Sequence, residues 1–235
     1  MEQERFFELV VQEVLRRLTE PTGLNKEKVL VVFTGGVIGL DKAVEELKII
    51  QNLNNVDLKV ILSHSAEKVI GVKRLKQELG EQIDIITAQE PYPRKVLEET
   101  DLIIVPVLTM NTAAKVALLL ADTPVCTLVL QALLRGKPVI AAKNAADPDD
   151  YQRVMNNMNR ANSALRAALQ SQLTKLETYG VTLVPVEKLA EMTSKALAKE
   201  VKTITKVGKK TIIDAETVRK MAEDGIEIIH LDKGT

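Results

Sequence analysis

Three short polar clusters hold the residues of this chain best suited to chemistry: Thr34-Gly35-Gly36, Ser63-His64-Ser65 and Thr109-Met110-Asn111-Thr112. Glycines let backbone N–H groups approach an anion closely, and Ser and Thr hydroxyls beside a helix start add further donors. None of the clusters contains lysine, and no GxxxxGK[ST] run exists, so a nucleoside triphosphatase site is not expected. The glycines at 35, 36 and 39 also miss the GxGxxG spacing of a dinucleotide fingerprint. One glycine turn says little by itself. Three donor clusters at corresponding places predict a phosphate-bearing ligand, and no residue is assigned to a metal.

The elements around the clusters explain why they should meet. Val29 to Phe33 is an unbroken apolar run, as expected for a strand covered on both faces of a parallel sheet. Similar runs occur at 58–62, 83–86, 101–105, 137–142 and 181–185. Helical patterns separate them: 40–53, from the third cluster through Leu120, 149–179 with Asn-rich turns early, and from Val186 to about Glu200. Alternation of this kind predicts an α/β fold, a doubly wound parallel sheet with right-handed crossovers. In such sheets ligands sit beyond the carboxyl ends of the strands, where all three clusters fall.

Two appendages flank this domain, expected over 26–186. Within residues 1–20, Phe7, Val10, Val11, Val14, Leu15 and Leu18 form one apolar helical face, and Pro21 to Asn25 reads as a linker. That face either packs back on the domain or at a subunit interface, or docks on another protein. From 187 onward, a strand at 210–213, a helix capped by Asp214 and stopped by Gly225, and a strand at 226–231 read as a small βαβ unit.

Composition narrows the function class. Lys+Arg and Asp+Glu both number 32, so no basic excess points to nucleic acid or an anionic membrane. Aromatics make up 3% with no Trp, too few for base-stacking platforms. One cysteine suits a reducing cytoplasm, and no apolar run approaches the roughly 20 residues that span a bilayer.

Several stretches resemble one family. Thr109 to Thr123 is similar to the signature of the homo-oligomeric flavin-containing cysteine decarboxylase superfamily, an Asn-Thr turn opening a helix that ends in Ala-Asp. Residues 31–39 and 62–70 resemble that family's first two strand ends, and 132–140 the helix and strand after the signature. The resemblance covers roughly 28–185 and implies a Rossmann-like flavoprotein fold that binds FMN. It implies Thr34, Gly35 and Gly36 around the phosphate, Ser63 and Ser65 beside it, and Thr109, Met110, Asn111 and Thr112 near the ring or ribityl chain. Cys126 falls where the family has Ser or Thr beside the flavin, although its type favours a small buried hydrophobe. His230 reads as structural, and His64, at a strand end, as a ligand contact or a solvated loop residue.

The departures bear on the reaction. Pro106 stands one residue early, with Val107 in the motif's proline position. The segment Glu90 to Arg94 holds no histidine where the decarboxylases carry one, and Lys143 to Pro148 replaces their Pro-x-Met-Asn clamp. Oxidative decarboxylation of a peptidyl cysteine is therefore not expected, while flavin binding is. Within the superfamily the chain resembles the flavoprotein-like component of dipicolinate synthase, which also lacks that histidine. The N-terminal helix looks like the encapsulation peptides of bacterial microcompartments, and residues 211–225 are similar to tails on proteins associated with them.

The leading expectation is an FMN-binding redox protein, an electron carrier or flavin reductase, cytoplasmic or in a microcompartment lumen. The family implies a homo-oligomer, a trimer or an assembly of trimers, with residues 1–20 available to a shell or cargo protein. The alternative is a decarboxylase-like or dipicolinate-synthase-like enzyme component that turns over a small carboxylic acid, in a pocket bordered by Asn111 and Lys143. A third reading is an interaction protein that kept the fold and lost the cofactor.

Overall fold

A computed structural model describes residues 26–53, 56–88 and 94–198. The N-terminal amphipathic helix, the segment Glu90 to Pro93, and the C-terminal βαβ unit with His230 lie outside them.

In chain order the described elements are β1 (Glu27–Phe33), α1 (Leu40–Gln51), β2 (Val56–Leu62), α2 (His64–Val69), α3 (Val72–Leu79), β3 (Asp84–Ile86), α4 (Arg94–Glu99), β4 (Leu102–Val105), α5 (Met110–Ala117), α6 (Pro124–Leu134), β5 (Val139–Ala142), α7 (Tyr151–Met155), α8 (Ser163–Thr178) and β6 (Val181–Val184). A 3-10 turn, Val186–Lys188, leads into α9 (Leu189–Leu197). The described residues through Ser194 make one compact unit, and a second begins at Lys195.

The six strands form one sheet in the order β3-β2-β1-β4-β5-β6, and every pair is parallel. Every residue of β4 and β5 is buried, and so are the last five of β1, which is why these segments read as continuous apolar runs. Side chains alternate across the sheet. Leu30, Val32, Ile103 and Val105 join a core with Val116 of α5, Leu128 and Val129 of α6, and Leu173 and Leu176 of α8. On α1, Leu40, Ala43, Val44, Leu47 and Ile50 are buried together.

β1 pairs with β2 on one side and with β4 on the other, Val31 standing between Val60 and Ile104. Strand order therefore reverses at β1 and β4. Loops after these two strands leave in opposite directions and open a crevice at their carboxyl ends.

Local chemistry moved several boundaries. The helix expected to run through Leu120 stops at Ala117, where Leu119 takes φ 58, a left-handed conformation that ends a helix. The stretch 149–179 splits into α7 and α8. There the Asn156 side chain donates to the Gln152 carbonyl, Asn157 takes φ 56, and Asn162 caps α8 by accepting from Leu165 N–H at 2.8 Å. Asparagine competes with helix in this manner and caps it well. Helices α2, α3 and α4, too short for a clear period, were not expected.

Candidate anion and cofactor site

The loops after β1, β2 and β4 touch one another. Thr34 ends β1, and its buried hydroxyl donates to the Val107 carbonyl and accepts from Thr109 N–H at 3.3 Å. One side chain thus ties the tip of β1 to the tip of β4. Gly35 faces the tip of β2: a Cβ there would lie 2.4 Å from Ser65 Cβ and 2.9 Å from the Ser65 carbonyl carbon. Gly36 faces the other way, its missing Cβ 2.8 Å from Val107 Cγ1 and 2.9 Å from Thr109 Cγ2. The pair is glycine because two neighbouring strand tips leave no room for side chains.

Three of the neighbouring helices, α2, α5 and α6, begin on a capping hydroxyl. Ser63 donates its N–H to the Phe33 carbonyl (3.0 Å) and accepts from Ala66 N–H (3.1 Å) to start α2. Thr109 starts α5, accepting from Thr112 N–H (3.4 Å) and donating to the Thr112 hydroxyl (3.1 Å). Thr123, followed by Pro124 in the first helical position, starts α6 and accepts from Cys126 N–H at 3.3 Å.

These starts open into one cavity of about 540 Å³, ample for a small cofactor. Of the expected residues, Thr34, Gly35, Ser63, Ser65, Thr109, Asn111, Thr112 and Cys126 line it. Gly36 and Met110 do not. Gly36 packs behind the wall on Val107, Thr109 and Ala145. His64 lines the cavity, whereas Lys143 does not and pairs instead with Asp147 at 3.2 Å.

Open amides stand along the wall. A helix leaves its first amides without partners. Among the described residues, the N–H groups of Gly35, His64, Ser65, Asn111 and Val125 find no acceptor. Among the described residues no Asp or Glu lines the cavity, and Lys115 adds a positive charge. Its ammonium bonds to Asp122 at 2.7 Å, and that hydrogen bond, before the Coulomb attraction, raises its pKa above the usual lysine value. The hydroxyl hydrogens of Thr34 and Thr109 are engaged inside the protein, so these two shape the wall, while Ser65, His64 and Asn111 line the cavity with no side-chain partner among the described residues.

Sequence reasoning missed Ala88, Lys115, Thr123, Pro124 and Val125. Thr123-Pro124 carried a usable signal, an N-cap followed by proline. Lys115 follows Asn111 by one helical turn and shares its face.

Cys126 is 1% exposed, and its thiol is pushed up by burial above the ordinary cysteine range, which outweighs the hydrogen bond with Thr123 that lowers it. A raised value means less thiolate near neutrality than in free cysteine. Alkylation of Cys126 by iodoacetamide at pH 7.5 is expected to run slower than that of a small free thiol, rising only at more alkaline pH. Mass spectrometry of the intact protein over time reads the rate, and labelling as fast as free thiol would contradict the burial.

Comparison with known proteins decides the family. The family model described as Flavoprotein matches residues 17–213. The chain belongs to the flavoprotein family. No curated protein matches it. Among solved structures, this flavoprotein-family chain is similar to the apo form of DmrB from Burkholderia xenovorans, described as a cubic protein cage for redox transfer. Identity is 19%, the TM-score 0.56, and the match covers 74% of this chain and 96% of that one. TvaF, an FMN-dependent cysteine decarboxylase from thioviridamide biosynthesis, matches at 18% identity and TM-score 0.54, over 74% of this chain and 99% of its own. A dodecameric FMN-dependent UbiX-like decarboxylase from Escherichia coli O157:H7 matches at 18% and 0.50, over 67% and 79%. At these identities the likeness establishes the fold, an α/β flavoprotein sheet.

Proposed function

We propose that the cavity binds FMN and that the protein is a redox flavoprotein, an electron carrier or flavin reductase. The observation that carries this reading is that, among the described residues, the amides of Gly35, His64, Ser65, Asn111 and Val125 have no partner and no carboxylate lines the cavity they share. Such a wall suits a phosphate monoester. It also suits an elongated ligand. The lining runs from Ala88 after β3, past Ser63–Ser65 and Thr34–Gly35, to Thr109 after β4. At about 4.8 Å per strand, four adjacent tips span roughly 15 Å. One end offers serine, histidine and glycine; the other offers Pro124, Val125 and Cys126, an apolar seat for a flat ring. Solved relatives in fold include DmrB in complex with FMN.

Flavin supplies the electron-transfer chemistry, while the protein sets its position and electrostatics. Ser65 and the open amides of Gly35 and His64 would hold the phosphate, and Asn111 and Lys115 would face the ribityl chain and ring. Against a peptide decarboxylase stand the absent clamp sequence and the position of Lys143 outside the cavity. The second reading, turnover of a small carboxylic acid, is favoured by Asn111, whose amide side chain lines the cavity with no partner among the described residues.

A homo-oligomer belongs to the same reading: DmrB is described as a cage and the UbiX-like decarboxylase as a dodecamer, and Leu118, Leu119 and Leu120 stand exposed here. A trimeric building block and an association with microcompartments, through residues 1–20, rest on the resemblance of the sequence. No helix among the described residues is long and apolar enough to cross a membrane.

The test is a flavin absorption spectrum of the purified protein, with titration of the stripped protein by FMN and by riboflavin. FMN is expected to bind at least tenfold tighter, since one charge-assisted hydrogen bond to the phosphate is worth about 1.5–3 kcal/mol. Protein that stays colourless and takes up no FMN overturns the proposal. Steady consumption of a small carboxylic acid would favour the second reading.

A further inference from the structure

Lys115 is a charged residue with two possible uses. Its side chain is 23% exposed and lines the cavity, yet its ammonium is held by Asp122, which is 54% exposed and does not line it. The pair closes the short connection between α5 and α6, where the exposed leucines 118–120 and the left-handed Leu119 lie. A structural reading makes it a brace for that connection. The cavity suggests more. Lys115 stands at the apolar end, with Thr123, Pro124, Val125 and Cys126, where the amino end of α6 adds the open amide of Val125. Among the described residues no carboxylate lines this end to offset the charge.

We infer that Lys115 sets the reduction potential of the flavin, its ammonium favouring negative charge on the ring, with Asp122 as the counter-ion that moderates it. The inference rests on the FMN reading and deepens it. Two electrons and one proton taken up by the oxidised ring leave it with one net negative charge. A positive charge at the ring's end of the cavity favours that form over the neutral oxidised one, and local charge is among the protein's means of tuning flavin. A neighbouring carboxylate opposes the effect. Removing the cation and removing its partner must therefore act in opposite directions.

That opposition is the test. The holoprotein, Lys115→Met, Lys115→Arg and Asp122→Asn would each be titrated with dithionite against a dye of known potential. Lys115→Met is expected to lower the ratio of affinities for reduced over oxidised flavin about tenfold, which for a two-electron couple is about 30 mV. Asp122→Asn is expected to raise it, and Lys115→Arg to stay near the parent. A brace alone predicts something else. Both neutral variants break the same ion pair, so potentials that shift together, or not at all, overturn the assignment. Circular dichroism and thermal midpoints check folding, and if Lys115→Met does not fold, the sign of the Asp122→Asn shift still decides. Parent protein that binds no FMN sinks the reading of the cavity, whereas flavin binding with potentials of the wrong sign sinks the role of Lys115 alone.

Discussion

Gly35→Ala is expected to abolish tight flavin binding and to destabilise the protein. Where the backbone allows alanine and space exists, replacing glycine stabilises by about 0.4–1 kcal/mol through the unfolded chain. Here space decides the sign. The new methyl would stand 2.4 Å from Ser65 Cβ and 2.9 Å from its carbonyl carbon, and the second of these is backbone that cannot rotate aside. The tips of β1 and β2 must separate, at about 1–3 kcal/mol for an overpacked site. Separation also misplaces the amides of Gly35 and Ser65. Losing two hydrogen bonds to a charged phosphate, at about 1.5 kcal/mol each, weakens FMN about a hundredfold. Fluorescence titration with FMN and urea unfolding measure the two effects. Unchanged affinity would mean that the phosphate sits elsewhere.

Thr34→Val is the second. Valine keeps the shape and removes the hydroxyl that serves the Val107 carbonyl and Thr109 N–H together. Thr34 is 2% exposed, so water does not readily replace it. An unpartnered buried polar group costs about 1–3 kcal/mol, and two of them give an expected loss of about 2–6 kcal/mol. Thr34→Ser retains the hydroxyl and should recover most of that stability. Urea unfolding of the three proteins decides the matter, and a valine variant as stable as the parent would show that the tips of β1 and β4 hold together without this bond.

These variants probe a feature only partly legible in the chain. The glycines and hydroxyls were visible as donors for an anion. Their division of labour was not. Thr34 and Thr109 look as suited to a phosphate as Ser65 does, yet the packing of β1 against β4 turns the Thr34 hydroxyl inward, and the cap of its own helix takes up that of Thr109. Gly36 looks equivalent to Gly35, yet alternation along the chain sends it to the opposite side, behind the wall. Lys115 stood outside every cluster because its nearness to Thr123 and Cys126 depends on how α5 and α6 meet.

By itself the sequence determined the strands and the sheet class. Runs such as Val29 to Phe33 and Leu102 to Val105 carry apolar side chains at every position, and only a sheet covered on both faces buries them all. It also determined the starts of α2, α5 and α6, because a capping Ser or Thr acts on amides two or three residues away. The tertiary structure alone decided that β4 lies beside β1, so that loops more than 70 residues apart share one wall. It alone decided which amides remain without partners. Strand pairing depends on contacts distant along the chain, and no short-range pattern specifies them.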